Sequence, residues 1–161
     1  MTEAITPNAI EPRGKDVDLR MFVDSDHAGD KLMRHSRTGI MIFMNTALID
    51  ALSKKQATIE TSVFGAEFVA LKHGMERLRG LRYKLCMMGV PLAGCSYIYG
   101  DNKSQVTNSS RPESTLKKKC NSICYHAIRE SVAMGESLIS HLRTWFNLSD
   151  FLTKVTNGAK R

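Results

Sequence analysis

The spacing of apolar residues changes after residue 52 of this chain, and that change decides which class of fold is open to it. Up to residue 52 the apolar residues come in short runs at 19–23, 39–44 and 47–52, the last two separated only by Asn45-Thr46. A two-residue connection of that kind makes a hairpin, so three sequential antiparallel strands are expected. From Phe64 onward apolar side chains fall at 64, 68, 71, 75, 78, 81, 85 and 88. Steps of three and four keep one face of a helix inward, here for about seven turns. Gly89 and Pro91 supply its stop signal.

The rest of the chain alternates. A strand at 96–100 leads into a short helix from about Asn102, a loop at 108–112 and a second long helix over 113–134, with Ile123, Ala127, Ile128 and Val132 as its inner positions. Residues 137–142 return as a strand, and a short helix around Asp150 ends the pattern. Strands and helices in this order imply an α/β fold with a mixed sheet. Residues 1–17 read as a tail or linker, 18–155 as one domain and 156–161 as a basic C-terminal tail.

With 161 residues, 42% of them hydrophobic, the chain is large enough to bury a real core. It has no apolar stretch near the roughly 20 residues of a membrane helix, and residues 1–8 lack the pattern of a secretory signal. The expectation is a soluble intracellular protein, cytoplasmic or nuclear, not secreted and with no membrane partner. Cysteines 86, 95, 120 and 124 show no Cys-x-x-Cys spacing, so neither a zinc ribbon nor a disulfide framework is indicated. Cys120 and Cys124, with His126 nearby, read as packing residues. A net charge of +7 favours a polyanionic partner.

Four acids sit where an acid has no ordinary structural reason to be. Asp24 ends the run 19–23 and Asp101 ends 96–100, so each strand end presents a carboxylate. Glu67 interrupts the apolar face of the long helix, three residues after Phe64 and four before Leu71. Asp150 opens the C-terminal helix. Acids on such faces are costly to bury unless positive charge meets them. Gathered together they suit a hard divalent cation such as Mg²⁺, which prefers carboxylate and water oxygens. Left without metal they repel one another, so at least one should have a raised pKa.

Six motifs, in this order, resemble the ribonuclease H domain of copia-type retrotransposon polyproteins: Val23-Asp24-Ser25-Asp26-His27-Ala28-Gly29-Asp30, Ser36-Arg37-Thr38-Gly39, Ser53-Lys54-Lys55-Gln56, Ala66-Glu67-Phe68-Val69-Ala70-Leu71, Asp101-Asn102-Lys103-Ser104 and Asn147-Leu148-Ser149-Asp150-Phe151-Leu152-Thr153-Lys154. The resemblance spans roughly residues 18–155. It implies the RNase H-like fold, a five-stranded mixed sheet with three antiparallel strands then two parallel ones, flanked by helices. It also implies cleavage of the RNA strand of RNA–DNA hybrids during reverse transcription, beside a reverse transcriptase domain in a parent polyprotein, inside a virus-like particle or the nucleus.

By the same resemblance Asp24, Glu67, Asp101 and Asp150 are the catalytic metal ligands, holding two Mg²⁺ ions about 4 Å apart, with Mn²⁺ as a substitute. Asp24 would bridge both ions, Glu67 and Asp101 would hold one each in part, and Asp150 would complete the second site. Polar residues beside the acids, Ser25, Thr61, Ser62, Asn102 and Ser104, are the candidates for reading the 2′-hydroxyl and the minor groove. Arg111, Lys117, Lys118 and Lys119 are the candidates for phosphate contacts, with His73, Arg77 and Arg82 as further ones. Arg143-Thr144-Trp145-Phe146 fills the interval between the last strand and the last acid, and His141 reads as a strand residue. The alternative function class is a catalytically inactive, transposon-derived remnant or nucleic-acid-binding module.

Overall fold

The computed structural model describes residues 16–30, 32–110 and 122–154. Strands β1 (Leu19–Asp26), β2 (Arg37–Met44) and β3 (Ala47–Lys55) precede helix α1 (Val63–Met87). Strand β4 (Ser96–Gly100), helices α2 (Lys103–Ser110) and α3 (Ser122–Ala133), strand β5 (Ser137–His141), a 3-10 turn (Thr144–Phe146) and helix α4 (Asp150–Thr153) follow. The expected succession of elements is present. So is the mixed sheet: its strand order is β3-β2-β1-β4-β5, antiparallel on the β1, β2 and β3 side and parallel where β4 joins β1 and β5.

Local chemistry explains the hairpin. Met44 pairs with Ala47, and Asn45 takes the left-handed conformation that a tight two-residue turn demands. The Asn45 side-chain oxygen also accepts from the Asp18 amide at 2.9 Å, tying the turn to the start of β1. Helix α1 begins on a serine cap, Ser62 Oγ accepting from Gly65 N at 3.2 Å. It lies close on the sheet because Gly74 has no side chain: a Cβ there would meet Met21 Cε at 2.7 Å.

Leu19, Met21 and Val23 of β1, Ile40 and Ile42 of β2 and Ile98 of β4 pack against Phe68, Leu71, Met75 and Leu78 of α1. Burying each such side chain contributes about 1.5–3 kcal/mol. On the opposite face of the sheet, Phe22 stacks on Tyr99 at 5.3 Å and meets Phe43 edge-on at 5.6 Å.

Three expectations are corrected. Strand β1 does not end at Asp24; its ladder continues until Asp26 pairs with Arg37, since backbone pairing does not require the apolar residues that made the run legible. Ile123 is not an inner position of α3 but is 76% exposed, while Tyr125 and Ile128 are buried. Ile123 lies five residues before Ile128, about 140° around the helix. Val17 belongs to the folded unit, pairing with Leu92 in an isolated bridge. The expected helix turns at 113–121 and both tail assignments, apart from residues 16 and 17, fall outside the described residues.

Candidate active site

Asp24, in the last third of β1, is buried, and Thr153 of α4 donates its hydroxyl to Asp24 Oδ2. Asp101 follows β4 directly. Its carboxylate accepts from Thr144 Oγ1 at 3.2 Å, and its carbonyl accepts from His141 Nε2 at 3.0 Å. Glu67 reaches inward from the second turn of α1, only 9% exposed. Gln105 of α2 donates to the Glu67 carbonyl at 2.8 Å, which fixes the backbone beneath the acid. Asp150 is the first residue of α4 and is paired with Lys154.

These carboxylates act on one another. Burial pushes Glu67 up to about 7, the charges of Asp101 and Asp24 add to the shift, and a hydrogen bond from Asn102 opposes it. Asp24 is also raised, first by burial and then by Asp101 and Asp150, against the pull of Thr153 and Lys154. The expected raised pKa therefore appears at two of the four. Glu67 Oε2 is buried with no hydrogen-bond partner, an expensive condition unless a proton or cation meets it.

The cluster is not a closed cage. Among the described residues no three His, Cys, Asp or Glu side chains converge tightly enough to hold an ion as they stand. Asp24 and Asp150 are instead engaged by the Thr153 hydroxyl and the Lys154 ammonium. In chemistry the donors do suit a hard cation: all are carboxylate oxygens, and Glu67 offers one with no other partner.

Helix α4 can deliver Asp150 because β2 carries a glycine opposite Asp24. Gly39 pairs with Asp24, and a Cβ on it would come within 2.7 Å of Thr153 Cγ2 and 2.8 Å of the Ser149 carbonyl. Ser53 of the Ser-Lys-Lys-Gln motif holds the other end of α4, donating to the Leu152 carbonyl at 2.7 Å. Gln56 of that motif is buried and donates to Thr38 Oγ1 at 3.0 Å and the Ala66 carbonyl at 2.8 Å, fastening β2 to the turn of α1 that carries Glu67.

The polar candidates have mixed placements. Ser25 is buried with an unpartnered hydroxyl, so it is not presented at the surface. Ser62 is engaged as the α1 cap. Asn102 caps α2, accepting from Ser104 N at 2.8 Å, and also bonds Glu67. Thr61 and Ser104 are exposed. Arg111, Lys117, Lys118 and Lys119 lie outside the described residues.

The three candidates on α1 are occupied. Arg77 pairs with Asp50 at 2.6 Å, Arg82 donates to Ser96 Oγ at 2.8 Å and His73 sits 3.7 Å from Glu76. A groove of about 430 Å³ between β3 and α1 includes Lys54, Lys55, His73 and Arg77 in its lining, but none of the four acids. In that lining Lys55 pairs with Asp30 and Arg77 with Asp50, so two of its positive charges are met within the chain.

Sequence reasoning missed Thr144, Asn147, Thr153 and Gln105 as supports of the acids. Asn147 and Thr153 lay within a quoted motif, yet a lone polar residue in a short helix gives no sign of which strand it will touch.

No protein-family model matches the chain. Among curated proteins it is similar to the retrovirus-related Pol polyprotein from transposon RE1 of Arabidopsis thaliana, 29% identical over 142 residues, covering 88% of this chain and 10% of that protein. It is 30% identical over 143 residues to the corresponding polyprotein from transposon TNT 1-94 of Nicotiana tabacum, covering 88% and 11%. The chain thus spans about a tenth of the length of these relatives.

Solved structures agree on the fold. The N-terminal RNase H domain of rv2228c from Mycobacterium tuberculosis superposes with TM-score 0.65 at 13% identity, covering 86% of this chain and 91% of that one. LC11-RNase H1 in complex with RNA/DNA hybrid gives TM-score 0.65 at 16% identity, covering 84% and 93%. The prototype foamy virus protease-reverse transcriptase gives 0.58 at 12% identity, covering 91% and 22%. In sequence the chain is similar to Pol polyproteins of plant retrotransposons, and in fold it is similar to RNase H domains.

Proposed function

We propose that this chain is a divalent-metal-dependent ribonuclease H that hydrolyses the RNA strand of an RNA–DNA hybrid, working beside a reverse transcriptase domain in a longer polyprotein. The observation that carries the reading is Glu67, a buried carboxyl raised to about 7 with one unpartnered oxygen, electrostatically coupled to Asp24 and Asp101. A structural acid would be expected to have both oxygens satisfied. One kept unsatisfied among like charges is the signature of a site built for something else.

Asp24, Glu67, Asp101 and Asp150 are the residues that would hold Mg²⁺ or Mn²⁺. Two such ions would supply Lewis acidity on both sides of the scissile phosphodiester. The chain itself contributes supports for three of these acids. Thr144 orients Asp101, Gln105 holds the Glu67 backbone, and Thr153 orients Asp24. Strand β1 and helix α1, buried against each other, fix the relative positions of Asp24 and Glu67.

A second reading, a nucleic-acid-binding module without hydrolysis, has support in Lys154 and Thr153, which already engage Asp150 and Asp24. A labelled RNA–DNA hybrid incubated with the protein and Mg²⁺, beside an Asp24→Asn control, separates the two. RNA cleavage abolished by the substitution supports the nuclease. Binding with no cleavage supports the second reading.

A further inference from the structure

The five residues between β5 and Asn147 present two large aromatic rings to solvent at the edge of the acid cluster. Trp145 is 86% exposed and Phe146 is 65% exposed. Such exposure carries a hydration cost for apolar rings, and here they are anchored beside the site. Thr144 donates to the Asp101 carboxylate, Leu142 N donates to the Gly100 carbonyl at 2.8 Å, and Asn147 Nδ2 donates to the Val23 carbonyl at 3.0 Å. The turn is thus tied at both ends to the strands that carry Asp101 and Asp24.

Two basic side chains lie close by in the chain: Arg143, on the residue before the turn, and Lys154, at the end of α4 and paired with Asp150, are both exposed. Rings interleaved with cations suit a nucleic-acid backbone, whose apolar sugar faces lie between its phosphates. A hybrid keeps its bases stacked inside the duplex, so sugars are what such rings can reach across the wide, shallow minor groove of an A-like helix.

Resting on the function proposed above, we infer that Trp145 and Phe146 form a sugar-contacting wedge that seats the hybrid against Asp101 and sets its position along the cleft. The pair binds and positions substrate and takes no part in the chemistry.

Trp145 is the one tryptophan of the chain, so its emission reports this surface alone. Titrating the full chain, in the Asp24→Asn background, with an RNA–DNA hybrid should change that emission saturably, with the same midpoint as the anisotropy of a labelled hybrid. In the otherwise unaltered chain, Trp145→Ala with Phe146→Ala should raise KM about tenfold with kcat changed less than about twofold, and Trp145→Tyr should recover most of the loss. Unfolding temperatures of the variants establish that they fold.

Unchanged hybrid affinity in the double variant, or unchanged emission at saturation, overturns the inference alone. A chain that self-associates through these rings, with the double variant monomeric and binding hybrid normally, also overturns it. A chain that binds no hybrid overturns both this inference and the proposed function.

Discussion

Asn147 Nδ2 donates to the Val23 carbonyl at 3.0 Å across 124 positions of sequence, joining the residue before Asp24 to the segment that leads into Asp150. The same side chain accepts from Ser149 N and Ser149 Oγ, at 3.3 and 2.7 Å. One buried amide thus sets both the start of α4 and its attachment to β1. Replacing Asn147 with Ala leaves the Val23 carbonyl buried and unmet, which costs about 1–3 kcal/mol. The expected result is a lower urea midpoint with a larger proportional loss of hybrid cleavage. A fall in stability with no loss of cleavage would separate Asn147 from the site.

Glu67 should make stability depend on pH. The folded chain holds its proton to about pH 7, whereas the unfolded chain releases it near the ordinary value of 4.5, so the folded state binds more protons between these limits. Stability contributed by the protonated form is present below 4.5 and is lost as pH rises through 7. The loss is on the order of 2–3 kcal/mol by pH 8 in the absence of divalent ions. Glu67→Gln should flatten this dependence, giving a variant more stable than the parent at pH 8 but not at pH 4. Urea unfolding in chelator across this range is the measurement, and parallel profiles for the two proteins would refute the assignment.

Divalent ions should restore what charge repulsion removes. At a Mg²⁺ concentration about tenfold above its dissociation constant, binding to the folded state adds about 1.4 kcal/mol, or roughly 3 °C in Tm for a domain of this size. Asp24→Asn should abolish the rise. Equal rises in both proteins would place the ion elsewhere.

Gly39 should tolerate no side chain. The Ser149 carbonyl, 2.8 Å from where a Cβ would lie, is backbone and cannot swing aside, so Gly39→Ala must displace α4 and with it Asp150. A loss of about 1–3 kcal/mol is expected, with a higher Mg²⁺ requirement for cleavage. Cleavage at the parent Mg²⁺ requirement would show that α4 need not be held so closely.

Salt should govern hybrid affinity. If Lys117, Lys118 and Lys119 each meet a phosphate, replacing all three with Ala should reduce the slope of log affinity against log salt by about 3. An unchanged slope, read by fluorescence anisotropy between 50 and 200 mM salt on the order of those used for such titrations, would remove these lysines from the interface.

Much of this molecule was legible before folding because its elements announce themselves by period. The hairpin at Asn45-Thr46 and the register of Phe68, Leu71, Met75 and Leu78 on α1 follow from residues close in sequence, as does the prominence of Asp24, Glu67, Asp101 and Asp150. The extent of β1 beyond Asp24 and the outward turn of Ile123 were not legible, since a polar strand end offers no apolar pattern to read and an apolar residue in the first turn of a helix does not by itself say which face it takes.

The sequence by itself determined the class of fold and the four acids, because local periodicity and the misplacement of charge are properties of neighbouring residues. Only the tertiary structure decided that Gly39 makes room for α4, that Asn147 reaches Val23, and that Thr153 and Lys154 meet Asp24 and Asp150. It also raised Glu67 to about 7, because that shift depends on burial by distant segments and on charges delivered from other strands.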